Sequence, residues 1–199
     1  MTFMLGVDEA GRGPLAGPVA VGVVAVPEAF DVAKEFPGVK DSKQLSEKKR
    51  EQIFESLKTR VVRGDLRFVV ELGDAATIDE KGIALVVRSA VSRAVNALAP
   101  DAALVTVFLD GALKAPPEYA QKTIIGGDRT VPLISLASIA AKVTRDRLMI
   151  ELAAHYPDYG FERHKGYGTA AHYEALRKFN LCEIHRRSFI HLDSSAAVS

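Results

Sequence analysis

Residues 19–26 read VAVGVVAV, a run without a single polar side chain. A run this long and this rich in β-branched residues is a strand covered on both faces, because a strand with one wet face alternates polar and apolar residues. It commits the chain to a sheet with a packed layer on each side. Gly17-Pro18 just before it marks a turn. Residues 4–7 (MLGV) form a shorter apolar run that leads into Asp8. These two runs pair as a hairpin only through a connection longer than a tight turn.

The remaining elements follow from spacing and punctuation. Residues 27–45 read as irregular, with Pro27, Pro37 and Gly38. Ser46 is a helix N-cap, and Ile53, Phe54, Leu57 and Val61 have helical spacing in a helix to about Thr59. Residues 67–72 (RFVVEL) are a strand. Asp79 is expected to cap a long helix ending at Leu98 before Pro100, with Ile83, Val86, Val87, Ala90, Val91 and Ala94 on its buried stripe. Residues 103–109 (ALVTVFL) form a strand ending at Asp110-Gly111, and residues 122–126 (KTIIG) a last strand ending near Gly127-Asp128. A helix is expected from Ser135 to His155, stopped by Pro157. A Gly- and aromatic-rich loop spans 157–168, Thr169 caps a helix to Phe179, and the tail after Leu192 is expected to fray. Strands come first and then alternate with helices, which predicts an α/β fold with a mixed sheet flanked by helices on both faces. The 199 residues suit one main domain, 1–156, with an appendage at 157–199.

Charge narrows the function through its distribution. Lys and Arg total 26 against 25 Asp and Glu, so the sum favours no partner. Residues 34–63 carry nine basic against five acidic side chains, and residues 142–190 nine against six. Each excess is either a solvated helix face or a phosphate-binding surface. The lone Cys182 excludes an internal disulfide and a Cys-based zinc site, and suits a reducing compartment. No apolar run reaches the ~18 residues of a membrane span. No leader-like segment precedes Asp8, so the cytoplasm is the expected location.

The chemistry is carried by acids at strand ends. Asp8 and Glu9 close the first strand, Asp110 closes VTVFLD, and Asp128 follows TIIGG. If the strands are neighbours, four carboxylates converge from distant points in the chain, and they cannot all ionise without cations. Oxygen-only donors favour Mg²⁺ or Mn²⁺, and two such ions serve in-line attack on phosphate. A single Asp before Gly at a strand end is otherwise a turn residue, and a carboxylate pair alone also suits a glycosidase. The glycosidase alternative leaves Gly11-Arg12-Gly13 and the basic segments unexplained. A glycine turn with one arginine lets the backbone approach an anion closely.

These residues resemble the type 2 ribonuclease H (ribonuclease HII) family. The resemblance rests on DEAGRGPLAGPV at 8–19, Asp41-Ser42-Lys43, LDG at 109–111, Gly127-Asp128, ASIAAKVTRDRLM at 137–149, HKGYGT at 164–169 and HRRSF at 185–189. It implies a ribonuclease H-like five-stranded mixed sheet flanked by helices, with a C-terminal helical appendage. It implies a metal-dependent endoribonuclease that cleaves the RNA strand of RNA/DNA hybrids and single ribonucleotides embedded in duplex DNA, giving 3′-hydroxyl and 5′-phosphate ends. Asp8, Glu9, Asp110 and Asp128 match the catalytic metal-binding acids. Gly11, Arg12 and Gly13 match the loop that senses the ribose 2′-hydroxyl, and Tyr167 a tyrosine that stacks on the sugar at the junction. Ser42, Lys43 and Lys165 are expected phosphate contacts. The resemblance implies a monomer without membrane attachment.

Four further features are read from the residues. Asp146 lies among apolar helix neighbours and is expected to be structural, satisfied by Arg145 or a backbone cap. The histidines at 155, 164, 172, 185 and 191 lack zinc spacing and are expected on surfaces or loops. His185-Arg186-Arg187 is a phosphate patch or plain surface charge. Leu181-Cys182-Glu183-Ile184 departs from the Gly- or Pro-rich approach to His185 that the family suggests. Type 3 relatives carry an extra N-terminal domain, and only seven residues precede Asp8 here. A junction resolvase and a non-catalytic hybrid-binding module are the competing readings. The Gly-Arg-Gly loop argues against the first and the four acids against the second.

Overall fold

The computed structural model describes residues 2–39 and 45–191. The apolar run becomes β2 (Val19–Pro27), buried along its length up to the terminal proline. It pairs antiparallel with β1 (Phe3–Ala10) on one side and β3 (Arg67–Gly73) on the other. Then β4 (Val105–Asp110) lies parallel to β1, and β5 (Ala120–Ile124) parallel to β4. The order β3-β2-β1-β4-β5 is the expected five-stranded mixed sheet. The helices are α1 (Val32–Glu35), α2 (Glu47–Val62), α3 (Ala75–Lys81), α4 (Ile83–Leu98), α5 (Gly127–Thr130), α6 (Pro132–His155), α7 (Phe161–His164) and α8 (Ala170–Phe179).

Both sheet faces are covered. The buried stripe of α4 (Val86, Val87, Ala90, Val91, Ala94) packs on Leu5, Val7, Val21, Val23, Val107 and Leu109. On the other face α6 meets the sheet backbone itself. A Cβ on Gly6 would sit 2.4 Å from the Leu133 carbonyl oxygen, and one on Gly22 2.3 Å from that of Ala137. Helix α2 completes this layer through Ile53, Phe54 and Leu57. A third cluster, with Leu15, Met149, Tyr159, Phe161 and Leu176, joins the far half of α6 to the C-terminal segment.

Several expected boundaries shift for identifiable reasons. Ser46 and Thr169 cap α2 and α8 as expected, accepting from Lys49 N and His172 N at 3.3 Å each. Asp79 caps no helix. It lies inside α3, which Asp74 caps, and α4 begins after Gly82, whose φ of 79° breaks the chain direction. The Asp79 carboxylate instead accepts from Arg187 N (2.8 Å) and Ser188 N (3.0 Å), pinning the C-terminal segment. Helix α6 starts at Pro132, whose fixed φ suits a first helical position. Strand β5 begins and ends two residues earlier than expected, and Asp128, past the strand end as expected, falls in α5. The segment 27–45 contains α1, and the loop at 157–168 contains a 3₁₀ turn (Pro157–Tyr159) and α7. Ser42, Lys43 and the tail after Leu192 lie outside the described residues.

The close approach of α6 predicts that Gly22→Ala destabilises the protein by about 1–3 kcal/mol through overpacking against helix backbone. Urea unfolding checks this, and unchanged stability would mean that α6 is free to ride up.

Candidate active site

The parallel pairing of β1 and β4 places the acids. Val7 is in register with Leu109, so Asp8 and Asp110, the next residues, leave the sheet side by side. Alternation puts Asp8 on the face of Met4 and Gly6, toward α6. There the Ser138 hydroxyl of α6 hydrogen-bonds its carboxylate. Asp8 Oδ1 also accepts from Glu9 N at 2.8 Å. Asp8 is 4% exposed. Burial pushes its carboxyl up to about 7, against the Ser138 hydrogen bond, and the charges of Glu9 and Asp110 add to the rise. Burial raises Glu9 as well. Arg12, whose Nη1 lies 3.3 Å from Glu9 Oε1, pulls it back, while Asp110 adds to the rise. Asp110 Oδ1 accepts from the backbone N–H of Asp128 at 3.4 Å. Asp128 is fully buried, and Ser135 Oγ donates to its carbonyl.

Asp8, Glu9 and Asp110 thus share one electrostatic field, and Asp128 meets Asp110 through its amide. Among the described residues, no three acid, imidazole or thiol groups close on a single coordination sphere. The donor set is nevertheless what a hard cation needs. It is all oxygen, and at least one carboxylate is taken out of water with no cation to compensate it.

Beside the acids lies a cleft of about 480 Å³ lined by Glu9, Ala10, Gly11, Arg12, Gly13, Arg50, Ser138, Ile139, Lys142 and Tyr167. The Gly11–Gly13 loop enters it under strong constraint. Arg186, fully buried, donates from Nη2 to Gly11 O (2.7 Å), from Nη1 to Arg12 O (3.0 Å) and from Nε to Gly17 O (2.9 Å). Arg145, also fully buried, donates from Nε to Pro18 O (2.8 Å) and from Nη2 to Ala16 O (3.2 Å). Gly11 has φ 83°, and a Cβ there would lie 2.0 Å from Arg145 Nε. A trans peptide sets its C=O and N–H in opposite directions. With the Gly11 and Arg12 carbonyls turned onto Arg186, the N–H groups of Arg12 and Gly13 therefore point away from it. Neither meets an acceptor among the described residues. Two outward amides and an arginine make an anion-binding nest.

Tyr167 forms another wall, 41% exposed, with the Lys142 and Arg145 cations 5.6 and 5.7 Å from its ring centre. Its loop is tied to the Gly-Arg-Gly segment, because Gly166 O accepts from Leu15 N (2.8 Å) and Ala16 N (3.3 Å). Lys165 is not part of the cleft wall. Its Nζ donates to Glu162 O.

Other expectations are revised by burial. Asp146 is satisfied by Lys142 at 2.9 Å, one helical turn away, and not by Arg145. Arg186 is an internal clamp, not a surface charge. His172 and His185 are buried. Arg50, Ser138 and Lys142 carry no expected role and Arg145 only that of a partner for Asp146, although the spacing of Ser138, Lys142, Arg145 and Met149 places them along one side of α6. A larger concavity of about 890 Å³ lies between α4 and the β4–β5 connection, lined in part by Arg88, Ser92, Lys114 and Gln121. It contains none of the four acids.

The ribonuclease HII family model matches residues 5–192. This chain belongs to the ribonuclease HII family. It is 48% identical to a ribonuclease HII of Endomicrobium trichonymphae over 92% of this chain and 83% of that one. The ribonuclease HII chain solved with PCNA from Archaeoglobus fulgidus superposes with a TM-score of 0.76 at 26% identity, covering 96% of each. A Bst-RNase HIII chain solved in complex with Mn²⁺ shares the fold, with a TM-score of 0.65 at 20% identity over 89% of this chain and 70% of that one. As a ribonuclease HII, the chain is a metal-dependent endonuclease that cleaves the RNA in RNA/DNA hybrids and single embedded ribonucleotides. No helix among the described residues is long and apolar enough to cross a membrane.

Asp8 yields a prediction about stability. A carboxyl at about 7 in the fold and 3.8 when unfolded holds its proton longer in the fold. Without metal it therefore costs nothing below pH 3.8 and its full penalty above pH 7, at most on the order of 4 kcal/mol. Asp8→Asn should melt above the parent at pH 8 in chelator, with the gap closing toward pH 4. Equal melting curves at pH 8 would show that Asp8 is not desolvated.

Proposed function

We propose that Asp8, Glu9, Asp110 and Asp128 hold divalent cations, Mg²⁺ or Mn²⁺, with two engaged during cleavage, and that the cleft beside them receives the ribonucleotide. The observation that carries this reading is the single cleft joining Glu9 to the outward amides of Arg12 and Gly13 and to the Tyr167 ring. Cations bound there would activate water and stabilise the leaving oxygen, which gives 3′-hydroxyl and 5′-phosphate ends. The chain's own residues do the rest. Ser138 and the Glu9 amide orient the Asp8 carboxylate. The Gly11–Gly13 loop presents backbone, without side chains in the way, to the 2′-hydroxyl that alone marks a ribonucleotide. Arg12, Arg50 and Lys142 neutralise phosphates without reading bases, and Tyr167 offers a sequence-indifferent stacking surface.

On this reading residues 1–156 form the catalytic unit, and 157–199 the appendage that brings Tyr167. The cleft is complete within one chain, which supports a monomer, and a single free Cys182 suits a reducing cytoplasm.

Incision of a duplex carrying one ribonucleotide tests the metal site. Activity should vanish in chelator and return with Mg²⁺ or Mn²⁺. Asp8→Asn and Asp110→Asn should each lose at least about 10²-fold in kcat while still binding hybrid. Near-parental turnover in either variant would remove that acid from the site. Tyr167→Ala should lower incision at a single ribonucleotide by about tenfold, the scale of one stacking contact. An unchanged rate would return Tyr167 to a packing role.

A further inference from the structure

Beneath Tyr167 three histidine side chains lie in contact, and the reaction as described uses none of them. The His164 and His172 rings stack at 4.5 Å, and the His172 and His185 centroids are 5.3 Å apart. Phe161 closes the group, 5.5 Å from His172 and 5.6 Å from His185. His172 is fully buried and His185 is 2% exposed. Burial pushes all three rings down, His185 to about 4, so they are neutral at pH 7.

The neutral rings have one consistent proton arrangement, fixed by partners that cannot change role. A carbonyl oxygen only accepts. The 3.0 Å contact between His172 Nδ1 and Tyr167 O therefore puts the proton on Nδ1 and leaves Nε2 bare. The 3.1 Å contact between His172 Nε2 and His185 Nε2 then puts the proton on His185 Nε2. His185 Nδ1 is left bare and accepts from the Cys182 N–H at 2.9 Å, a donor with no other role. The Cys182 carbonyl, 3.2 Å from the same nitrogen, receives no proton from it, because the one proton of the neutral His185 ring is on Nε2, while the Cys182 thiol, with Sγ 3.0 Å from Nδ1, faces a nitrogen that can only accept. His164 obeys the same rule, donating from Nε2 to Tyr159 O (2.8 Å) and accepting at Nδ1 from Gly166 N (3.2 Å).

We infer that His172 and His185 are positioning residues for Tyr167: hydrogen bonds running one way, from Cys182 N–H through His185 and His172 to the Tyr167 carbonyl, set the Tyr167 peptide against the Gly11–Gly13 loop. The second half of that link runs through the His185–Arg186 peptide bond and then through hydrogen bonds. His185 bridges Ala16 in the backbone, and its neighbour Arg186 donates from its N–H to Leu15 O (2.8 Å) and from its guanidinium to Gly11 O and Arg12 O. One dipeptide thereby registers the stacking ring and the anion-binding loop to each other. The inference rests on the proposed stacking role of Tyr167.

Two substitutions isolate the claim. Asn at 172 places an amide N–H where Nδ1 stood, and Gln places one only where Nε2 stood. Both lose the ring, so packing loss is common to them, and comparable melting temperatures check this. Incision of the single-ribonucleotide duplex should fall about tenfold or more in kcat/KM for His172→Gln and about threefold or less for His172→Asn, because a small misplacement of a contact is costly. In a Tyr167→Ala background the difference between the two should collapse to within about twofold. Equal losses in Asn and Gln, or a gap that persists without the Tyr167 ring, would overturn the inference while leaving the Tyr167 reading intact. A normal rate in Tyr167→Ala alone would refute that reading and, with it, any positioning role exercised through the ring. The hydrogen-bond chain itself is read from imidazole ¹⁵N shifts of the parent protein at pH 7. Neutral rings protonated at His172 Nδ1 and His185 Nε2 are expected, and a charged His172 or one protonated at Nε2 would overturn it even if the variants fail to fold.

Discussion

Two arginines with no carboxylate partner among the described residues hold the segment 11–18. Arg186 and Arg145 are fully buried, and their hydrogen bonds end on the carbonyl oxygens of residues 11, 12, 16, 17 and 18. Burying a guanidinium costs several kcal/mol unless its protons are satisfied. Here backbone carbonyls meet most of that demand, although Arg145 Nη1 has no partner among the described residues. A segment with Gly11, Gly13, Pro14, Gly17 and Pro18 has little internal bonding of its own. The arginines supply it from beneath and decide which way each peptide faces. The Arg12 and Gly13 amides are thereby fixed outward in advance, which on the proposed reading leaves little reorganisation for binding an anion.

The opposite arrangement holds at the acids. Asp8 is nearly as buried as the arginines, yet the charged groups beside it are two more carboxylates. One side of the cleft is thus short of positive charge and the other rich in it. On the proposed reading a cation-bound phosphodiester would satisfy both, with its metals on the acids and its phosphate on the loop.

What could be read from the residues divides along physical lines. The strands were legible because unbroken β-branched runs have one economical fate. The acids were legible because strand ends in such sheets collect ligands. Arg186 was not, since an arginine between a histidine and another arginine looks like solvated charge. Only pairing across 169 to 175 residues of sequence puts it inside. The same holds for His172 and His185: expected with the other histidines on surfaces or loops, they are buried by contacts with Phe161 and with each other, whereas His155 and His191 are exposed. Asp79 had the composition of a cap and the position before a stripe, but Gly82 took the boundary and freed its carboxylate for the C-terminal segment. The spacing of Ser138, Lys142, Arg145 and Met149 was visible all along. Without the fold nothing told that this side of the helix faced a site.

That side of α6 carries a consequence of its own. Ser138 touches Asp8, Lys142 and Arg145 reach Tyr167, Arg145 grips the loop, and Met149 lies where a Cβ on Gly17 would be, 2.2 Å from its sulfur. On the proposed assignment of the acids and of Tyr167, the place where the bond is cut and the place where the sugar is inspected are mounted on one continuous helix. At about 1.5 Å per residue, the offset between them is counted in residues, not left to the balance of soft contacts. The helix acts as a ruler with discrete marks. One residue inserted between Ser138 and Arg145 would turn the inspecting end by about 100° relative to the cutting end. Such a protein would keep every functional side chain and lose the agreement between what it reads and where it cuts.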